Sequence, residues 1–367
     1  MYPHSLLQQL SRSVFQRMGC SLSDATLAAE VLASADLRGV DSHGIARLAG
    51  YVRLWEKQRI NAQPAIRVVH ETPSTAVVDG NAGLGLVVAP YAMQVAISKA
   101  HSAGTGWVSV RNSNHFGIAG YHAMQALPHD MIGIALTNAS PLVAPTFSID
   151  RLLGTNPIAV SIPAGEQPPL VVDMATTTVA NGKLEILQRK AQPAPSGWLQ
   201  DKVGRSSTDP KEVAQGGALL PLGGDAIHGS HKGYCLGAVV DIFSAVFSGA
   251  NYGPWVPPFV SFLDPPADPV GEGIGHFLGA MRIDAFRTVD EFKQHMDRWI
   301  TTFRQAQVAE GQQRVLIPGD PERETEVKRQ KEGIPLLAPV VADLIALGEQ
   351  LGVDVAFLRT NDTETGT

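Results

Sequence analysis

The stretch VVDGNAGLGLVVAP, residues 77–90, follows a short β-rich run and carries glycines at 80, 83 and 85. Laid on the dinucleotide pattern G-x-G-x-x-G from Gly83, it puts Val88 where the third glycine belongs. No acidic residue stands about 20 positions further on to hold a ribose. The segment therefore reads as a turn entering a helix and not as a Rossmann fingerprint.

Outward from this point, TAVVD (75–79), GWVSV (106–110), MIGIALT (131–137), IAVSI (158–162) and LVVDM (170–174) are β-rich, with helical stretches between some of them. They predict a mixed α/β middle domain over 73–287. Before it, Leu7, Leu10, Val14 and Met18 recur at helical spacing and Gly19 ends the run. A second helix starts near Ser23, and a third begins at Gly39–Ser42 and runs to Trp55, so residues 1–72 form a helical segment. After the middle domain, a strand is expected at 277–283. A helix then follows the capping box Thr288–Glu291, and a last helix over 336–351 stops at Gly352. The C-terminal helices, 288–355, are expected to pack on the N-terminal ones, with a disordered tail at 356–367. The segment 251–273 holds six prolines and reads as a long loop.

With 29 Lys+Arg against 35 Asp+Glu, the formal net charge of −6 over 367 residues excludes a basic nucleic-acid binder. Two cysteines cannot build a disulfide framework or a four-cysteine metal site, which points to a reducing compartment. The first residues lack a signal-peptide pattern, and the most apolar stretch, 235–250, contains Asp241 and is too short to span a bilayer. A soluble cytoplasmic protein is expected, binding neither nucleic acid nor membrane. Length and a charged fraction of only 17% suggest more apolar surface than one subunit buries, hence an oligomer.

Chemistry concentrates in ADLRGVDSHGIARL (35–48). With Asp41 or Ser42 as N-cap, His43 falls in the first turn and Arg47 one turn on, about 5–6 Å away between Cβ atoms. The positive helix end favours a neutral imidazole, which a general base must be, and the guanidinium beside it can grip a carboxylate with two parallel hydrogen bonds. A second imidazole, His115, lies in VSVRNSNHFGIAGYH (108–122) on a strand-end loop among Asn112, Ser113 and Asn114, whereas His122 reads as a packed structural residue. The histidines show no HExxH, no HxH and no nearby cysteine pair, so no metal site is expected. In GSHKGYCLGAVVD (229–241), Lys232 sits at the start of an apolar helix whose free N–H groups could receive a phosphate.

In order, ADLRGVDSHG, RNSNHFG, GTNPIAVSIP (154–163), VVDMATT (171–177), SHKGYCLGAVVD and IPGDPERE with KEGIPL resemble the malate/L-lactate dehydrogenase family over nearly the whole chain. Its relatives include ureidoglycolate, sulfolactate and diketogulonate oxidoreductases and cyclic-imine carboxylate reductases. The resemblance implies a non-Rossmann cofactor domain with a mostly antiparallel mixed sheet, a helical domain from the two chain ends, and an intertwined homodimer. It implies hydride transfer between NAD, or NADP, and C2 of a small 2-hydroxy or 2-oxo acid. By the same resemblance His43 and His115, with Ser42, are the catalytic candidates. Arg47, Thr155 and Asn156 would meet the substrate carboxylate and line its site. Ser140, Asp173, Met174, Ala175, Lys232 and the Pro318-Gly319-Asp320 turn would meet the cofactor. Asp320 and Glu322 could accept from a ribose hydroxyl and repel a 2′-phosphate, which favours NAD. Two departures bear on the substrate side: Asn181 stands where the family often has Arg, and the loop 251–273 is longer than usual. A cyclic-imine carboxylate or diketogulonate-type reductase is the alternative within the family. Outside it, a metal-dependent hydrolase or lyase would lose activity in chelator, and a non-catalytic binding protein would give no nicotinamide absorbance change.

Overall fold

The β-rich runs assemble into one large sheet in a computed structural model that describes residues 1–359. Helices α1 (His4–Arg17), α2 (Leu22–Leu37) and α3 (Leu48–Glu56) come first. Then follow β1 (Arg67–Glu71), β2 (Thr75–Asp79), α4 (Gly85–Ala103), β3 (Thr105–Ser113), α5 (Ala119–Met124), β4 (Met131–Thr137), β5 (Ile158–Ile162) and β6 (Leu170–Met174). Next come α6 (Asn181–Arg189), the short strands β7 (Leu199–Gln200), β8 (Ser206–Ser207) and β9 (Ala218–Leu219), and α7 (Ser230–Asp241). The chain ends with β10 (Ile274–Arg282), α8 (Val289–Arg304), α9 (Asp320–Glu332), α10 (Ala338–Leu351) and α11 (Ala356–Arg359).

The sheet runs β1-β2-β3-β10-β4-β5-β6, and only β2 and β3 pair in parallel. A parallel pair needs a crossover, and α4 supplies it. The result is the mixed, mostly antiparallel sheet that the resemblance implied, with β7, β8 and β9 forming a separate small sheet that the sequence did not announce. On one face α4 lays Ala89, Ala92, Ala96 and Ala100 against Val78, Val108, Val110 and Leu278. Small residues let the backbones touch: a Cβ at Gly106 of β3 would overlap the Ala96 carbonyl, and one at Gly133 of β4 would overlap that of Ala123 in α5. The opposite face is apolar too, with Leu136, Phe277 and Val240 packed beside Trp107 and Phe243.

The two chain ends share a core, but not in full. Val340, Val341, Leu344 and Leu347 of α10 bury against Leu7, Leu10, Val14 and Phe15 of α1, as the sequence suggested. Helix α8 lies elsewhere, its Ile300 buried with Leu170 of β6 and with Ile317. Helix α9, which the periodicity did not reveal, is amphipathic in neither sense and is tied to α2 by the Arg38–Glu326 ion pair at 3.1 Å. Of the tail expected from 356, Ala356–Arg359 form a helical turn with Leu358 buried, and the remainder lies outside the described residues. No helix among the described residues is long and apolar enough to cross a membrane.

The third helix starts later than its sequence suggests. Residues 40–44 form turns, Ile45–Arg47 make one 3-10 turn, and α3 begins only at Leu48. The reason is Asp36, a carboxylate on the buried face of α2, which accepts the Ile45 N–H at 2.7 Å and so does the work expected of Asp41 or Ser42. Asp41 turns outward to an ion pair with Arg329 of α9. His43 therefore sits on a loop clamped between two helices. Burial pushes the Asp36 carboxyl up to about 7, against the pull of the Ile45 N–H.

Two outcomes follow from this packing. Gly106→Ala forces α4 off the sheet and should destabilise the fold by about 1–3 kcal/mol, the usual range for overpacking; a urea midpoint within error of wild type would refute the backbone contact. For Asp36, the folded protein keeps its proton up to about 7, whereas an unfolded aspartate releases it near ~4. Stability is therefore eroded as pH rises through that window, and not further above it. Asp36→Asn keeps an acceptor for the Ile45 N–H without the ionisation, so its stability relative to wild type should improve from pH 4 to 7 and then level off. Chemical unfolding at four pH values checks this, and a pH-independent difference would contradict it.

Candidate active site

The glycines of 77–90 have a use, and it is a histidine loop. At the end of β3 the chain turns through Asn112, with φ 53°, and a Cβ at Gly85 would overlap the Asn114 carbonyl. A Cβ at Gly80 would come within 2.8 Å of the Asn112 carbonyl. The Asn114 amide completes the seat by donating to the carbonyls of Ala82 and Gly83, each at 3.0 Å. From the sheet side, His276 of β10 is hydrogen-bonded to Ser113 Oγ and Thr137 Oγ1, both at 2.7 Å. His115 is thus held on a short loop anchored from both directions. His122, as expected, is a packed residue: it is fully buried and its Nε2 bonds to the Phe116 carbonyl at 2.8 Å.

His43 and His115, 72 residues apart in sequence, stack with ring centroids 5.6 Å apart and planes 20° from parallel. Nδ1 of His43 meets Ser42 Oγ at 2.9 Å, and Nδ1 of His115 meets the Tyr51 hydroxyl at 2.7 Å. Phe259 closes the far side of His115, 4.6 Å between centroids. Desolvation, and then the Arg47 charge, bring the His43 imidazole down to about 3. His115 is held well below its ordinary value by desolvation first, then by His43, Arg47, His276 and His122. Both shifts favour the neutral ring. The cause is burial and a neighbouring guanidinium, not the helix end that the sequence suggested.

Arg47 lies beside the pair. Its Nε donates to the Ser42 carbonyl at 2.6 Å, and its Nη1 is 3.0 Å from a Glu185 carboxylate oxygen. Glu185 sits on α6, where Asn181, the residue that departs from the family pattern, donates to it at 2.9 Å. Gly182 is required here, because a Cβ would stand 2.6 Å from Arg47 Nη2 and 2.5 Å from the Ser42 Cβ. Glu185 escaped the sequence reading because nothing in its own neighbourhood marks it; it matters only through a contact across 138 residues.

A cavity of about 630 Å³ opens from Ser42 and His43. Its walls are largely apolar, including Val40, Ile118, Val171, Val179 and Trp198, with the cations Arg38 and Lys183 and the carboxylates Asp173 and Glu322. Of the other expected residues, Thr155, Asp173, Met174 and Ala175 line it. Asp173, at the exposed end of β6, accepts the Gly120 N–H at 2.7 Å. Apolar walls, two cations and ribose-type acceptors are a donor set that fits a nicotinamide dinucleotide, and Lys183 stands in the first turn of α6, where free N–H groups attract anions.

The remaining residues stand apart from these walls. Asn156 is fully buried and donates to the Gly237 carbonyl at 2.9 Å, its Oδ1 being unpartnered among the described residues. Ser140 is buried and accepts the Phe259 N–H at 2.8 Å, so it anchors the proline-rich loop against the histidines. Lys232 does start α7, but it is exposed. Pro318 accepts the Val171 N–H at 3.1 Å, and a Cβ at Gly319 would stand 3.1 Å from that valine, behind the cavity wall. Asp320 cannot offer its carboxylate to a ribose as expected: it is buried between Arg304 and Arg323 and accepts the Ile317 N–H at 3.0 Å. Glu322, two residues further on, reaches the cavity in its place. Among the described residues no three histidine, cysteine or carboxylate side chains converge as a cation site.

The sequence is 41% identical to the malate dehydrogenase of Pyrococcus horikoshii, over 93% of this chain and 92% of that one. It is 36% identical to the L-sulfolactate dehydrogenase of Methanocaldococcus jannaschii, over 95% and 96%. A Δ1-pyrroline-2-carboxylate/Δ1-piperideine-2-carboxylate reductase of Pseudomonas putida is 34% identical over 68% of this chain and 72% of its own. The solved structure of the Pyrococcus horikoshii malate dehydrogenase superposes with a TM-score of 0.87, covering 96% of both chains, and that of the Methanocaldococcus jannaschii sulfolactate dehydrogenase with 0.85 over 96% and 98%. The family profile described as malate/L-lactate dehydrogenase matches residues 2–345. A chain with this sheet, this pair of histidines and these relatives belongs to the malate/L-lactate dehydrogenase family.

Proposed function

We propose that this chain is a nicotinamide-dependent oxidoreductase that interconverts a small dianionic 2-hydroxy acid, of the malate or sulfolactate kind, and its 2-oxo acid. The observation that carries this reading is the stack of two imidazoles beside Arg47, one of which, His43, lines the cavity. Bound nicotinamide would supply the hydride acceptor or donor at its C4. The chain's own part is to hold the acid, move one proton and exclude water. The Arg47 fork would take the C1 carboxylate, with Glu185 yielding that place. Lys183, next to the Gly182 that Arg47 touches, offers the second anionic arm a partner, which favours malate-like acids over lactate. Thr155, Asp173, Met174 and Ala175 line the proposed cofactor path, and Glu322 favours NAD over NADP by repelling a 2′-phosphate. Two free cysteines suit the cytoplasm.

The homodimer is part of the same reading. Leu236, Val239, Ile242, Val246 and Phe247 are all exposed along α7 and the turn after it, and Phe286, Trp299 and Phe303 on and beside α8. Such apolar surface is characteristic of a subunit interface of about 2,000 Å² or more.

A panel of 2-oxo acids with and without a second anionic group, together with cyclic imino acids, assayed with NADH and NADPH separately, tests the activity. Oxidation of NADH by a dianionic 2-oxo acid is expected to dominate. Greater turnover of a cyclic imino acid would move the chain to the reductase branch. Arg47→Lys keeps the charge but loses the fork, so kcat/KM for the best acid should fall by about tenfold or more; unchanged kinetics would take Arg47 out of the site. Sedimentation at micromolar concentration should give twice the 39.0 kDa subunit mass, and a fully active species at monomer mass would end the dimer reading.

A further inference from the structure

We infer that Tyr51 and the Gly117 N–H lock His115 with its proton on Nε2, so that His115 donates a hydrogen bond to the reacting oxygen while His43 alone carries the proton. This rests on the oxidoreductase reading above and adds a division of labour to it. The argument lies in what each Nδ1 faces. That of His115 faces the Gly117 N–H at 3.3 Å, and a backbone N–H can only donate. It also faces the Tyr51 hydroxyl at 2.7 Å. Tyr51 is completely buried against Phe15 and Phe259, and His115 is its hydroxyl's one hydrogen-bond partner among the described residues, so the phenolic proton must point at that nitrogen. Burial holds the phenol far above its ordinary ionisation range, which keeps it a donor. With two donors aimed at it, Nδ1 carries a lone pair, and the neutral ring must carry its hydrogen on Nε2. Gly117 reaches this place with φ 81°, a backbone that a residue with a Cβ rarely adopts.

His43 faces a different group. Its Nδ1 meets Ser42 Oγ at 2.9 Å, and a hydroxyl accepts as readily as it donates. His43 can therefore keep its hydrogen on Nδ1, against Ser42, and present a lone pair at Nε2. No protein group holds Nε2 of either ring among the described residues. In the oxidative direction the C2–H bond breaks with its electron pair going to the oxidised nicotinamide, the O–H bond breaks with its proton going to His43 Nε2, and the carbonyl forms. His115 gains and loses nothing; its Nε2–H polarises the oxygen throughout. Tyr51 is a positioning residue that acts through His115.

Long-range ¹⁵N–¹H correlation of the histidine-labelled full-length protein at neutral pH reads the tautomer directly, with the His115 signal assigned by its loss in His115→Gln. The expected result is an Nε2–H tautomer; an Nδ1–H tautomer or an imidazolium would overturn the inference. Tyr51→Phe should shift the His115 signal towards a tautomer mixture and lower kcat about tenfold, the scale of one hydrogen bond, with little change in KM. A Tyr51→Phe protein with the wild-type signal and kcat would remove Tyr51 from this role. The charged and titratable groups facing the two rings are Arg47 with Glu185 on one side and His122 and His276 on the other. Against that background, His43→Gln should abolish the pH dependence of kcat/KM, whereas His115→Gln should keep it with kcat lowered about 10²; the reverse pattern would assign the proton to His115. An Nε2–H signal in a protein inactive on every oxo and imino acid would sink the dehydrogenase reading and leave the tautomer standing.

Discussion

Two imidazoles stacked 5.6 Å apart beside a guanidinium are held towards their uncharged forms, and the local structure is arranged around that constraint. Among the described residues no carboxylate is hydrogen-bonded to either ring. The groups within hydrogen-bonding distance are a phenol, a serine hydroxyl and a backbone N–H, all neutral. The Glu185 carboxylate is paired with Arg47, where it steadies the cation. Burial then costs little, because uncharged rings with one satisfied nitrogen each lose far less on leaving water than ions would. A carboxylate placed where Tyr51 stands would have had the opposite effect and made a permanent imidazolium.

The strands were legible because alternation and β-branched residues mark them within a few positions; the runs at 75–79, 131–137, 158–162 and 170–174 match β2, β4, β5 and β6 in full. The glycine stretch at 77–90 was legible only as something it was not. Its purpose depends on Asn112 and Asn114, some thirty residues later, and no local rule connects them. The start of α3 was misread for a similar reason. Asp41 and Ser42 satisfy every local preference for a cap, yet Asp36 is closer to the orphan N–H in space. A signal for it was present, since a carboxylate among Val31, Leu32 and Ala35 on an apolar helix face demands a partner.

The site residues divide along the same line. His43, Ser42 and Arg47 share one short segment, so their proximity could be argued from spacing, and the structure brings His115 to them through the β3 loop. Asp320 looked like a ribose acceptor because its turn matches the family's cofactor contacts, but Arg304 of α8 and Arg323 of its own helix claim it, while Glu322 projects into the cavity from the same end of α9. Phe259 could not be assigned from a loop without periodicity. Its placement follows from three anchors, the side chains of Ser140 and Arg53 and the ring of Tyr51.

Asp41 and Arg329 are 288 residues apart, and Tyr2 pairs with Ile334 through backbone hydrogen bonds of 2.8 and 2.9 Å in the same region. The loop bearing His43 is thus secured by one of the last helices to leave the ribosome. A nascent chain can complete the β-sheet and seat His115 only once β10 is made, and the first histidine must wait longer still, for the C-terminal segment. Half-made copies would accordingly be able to gather the scaffold of the pocket without the means to use it, and the order of synthesis itself keeps an incomplete subunit silent.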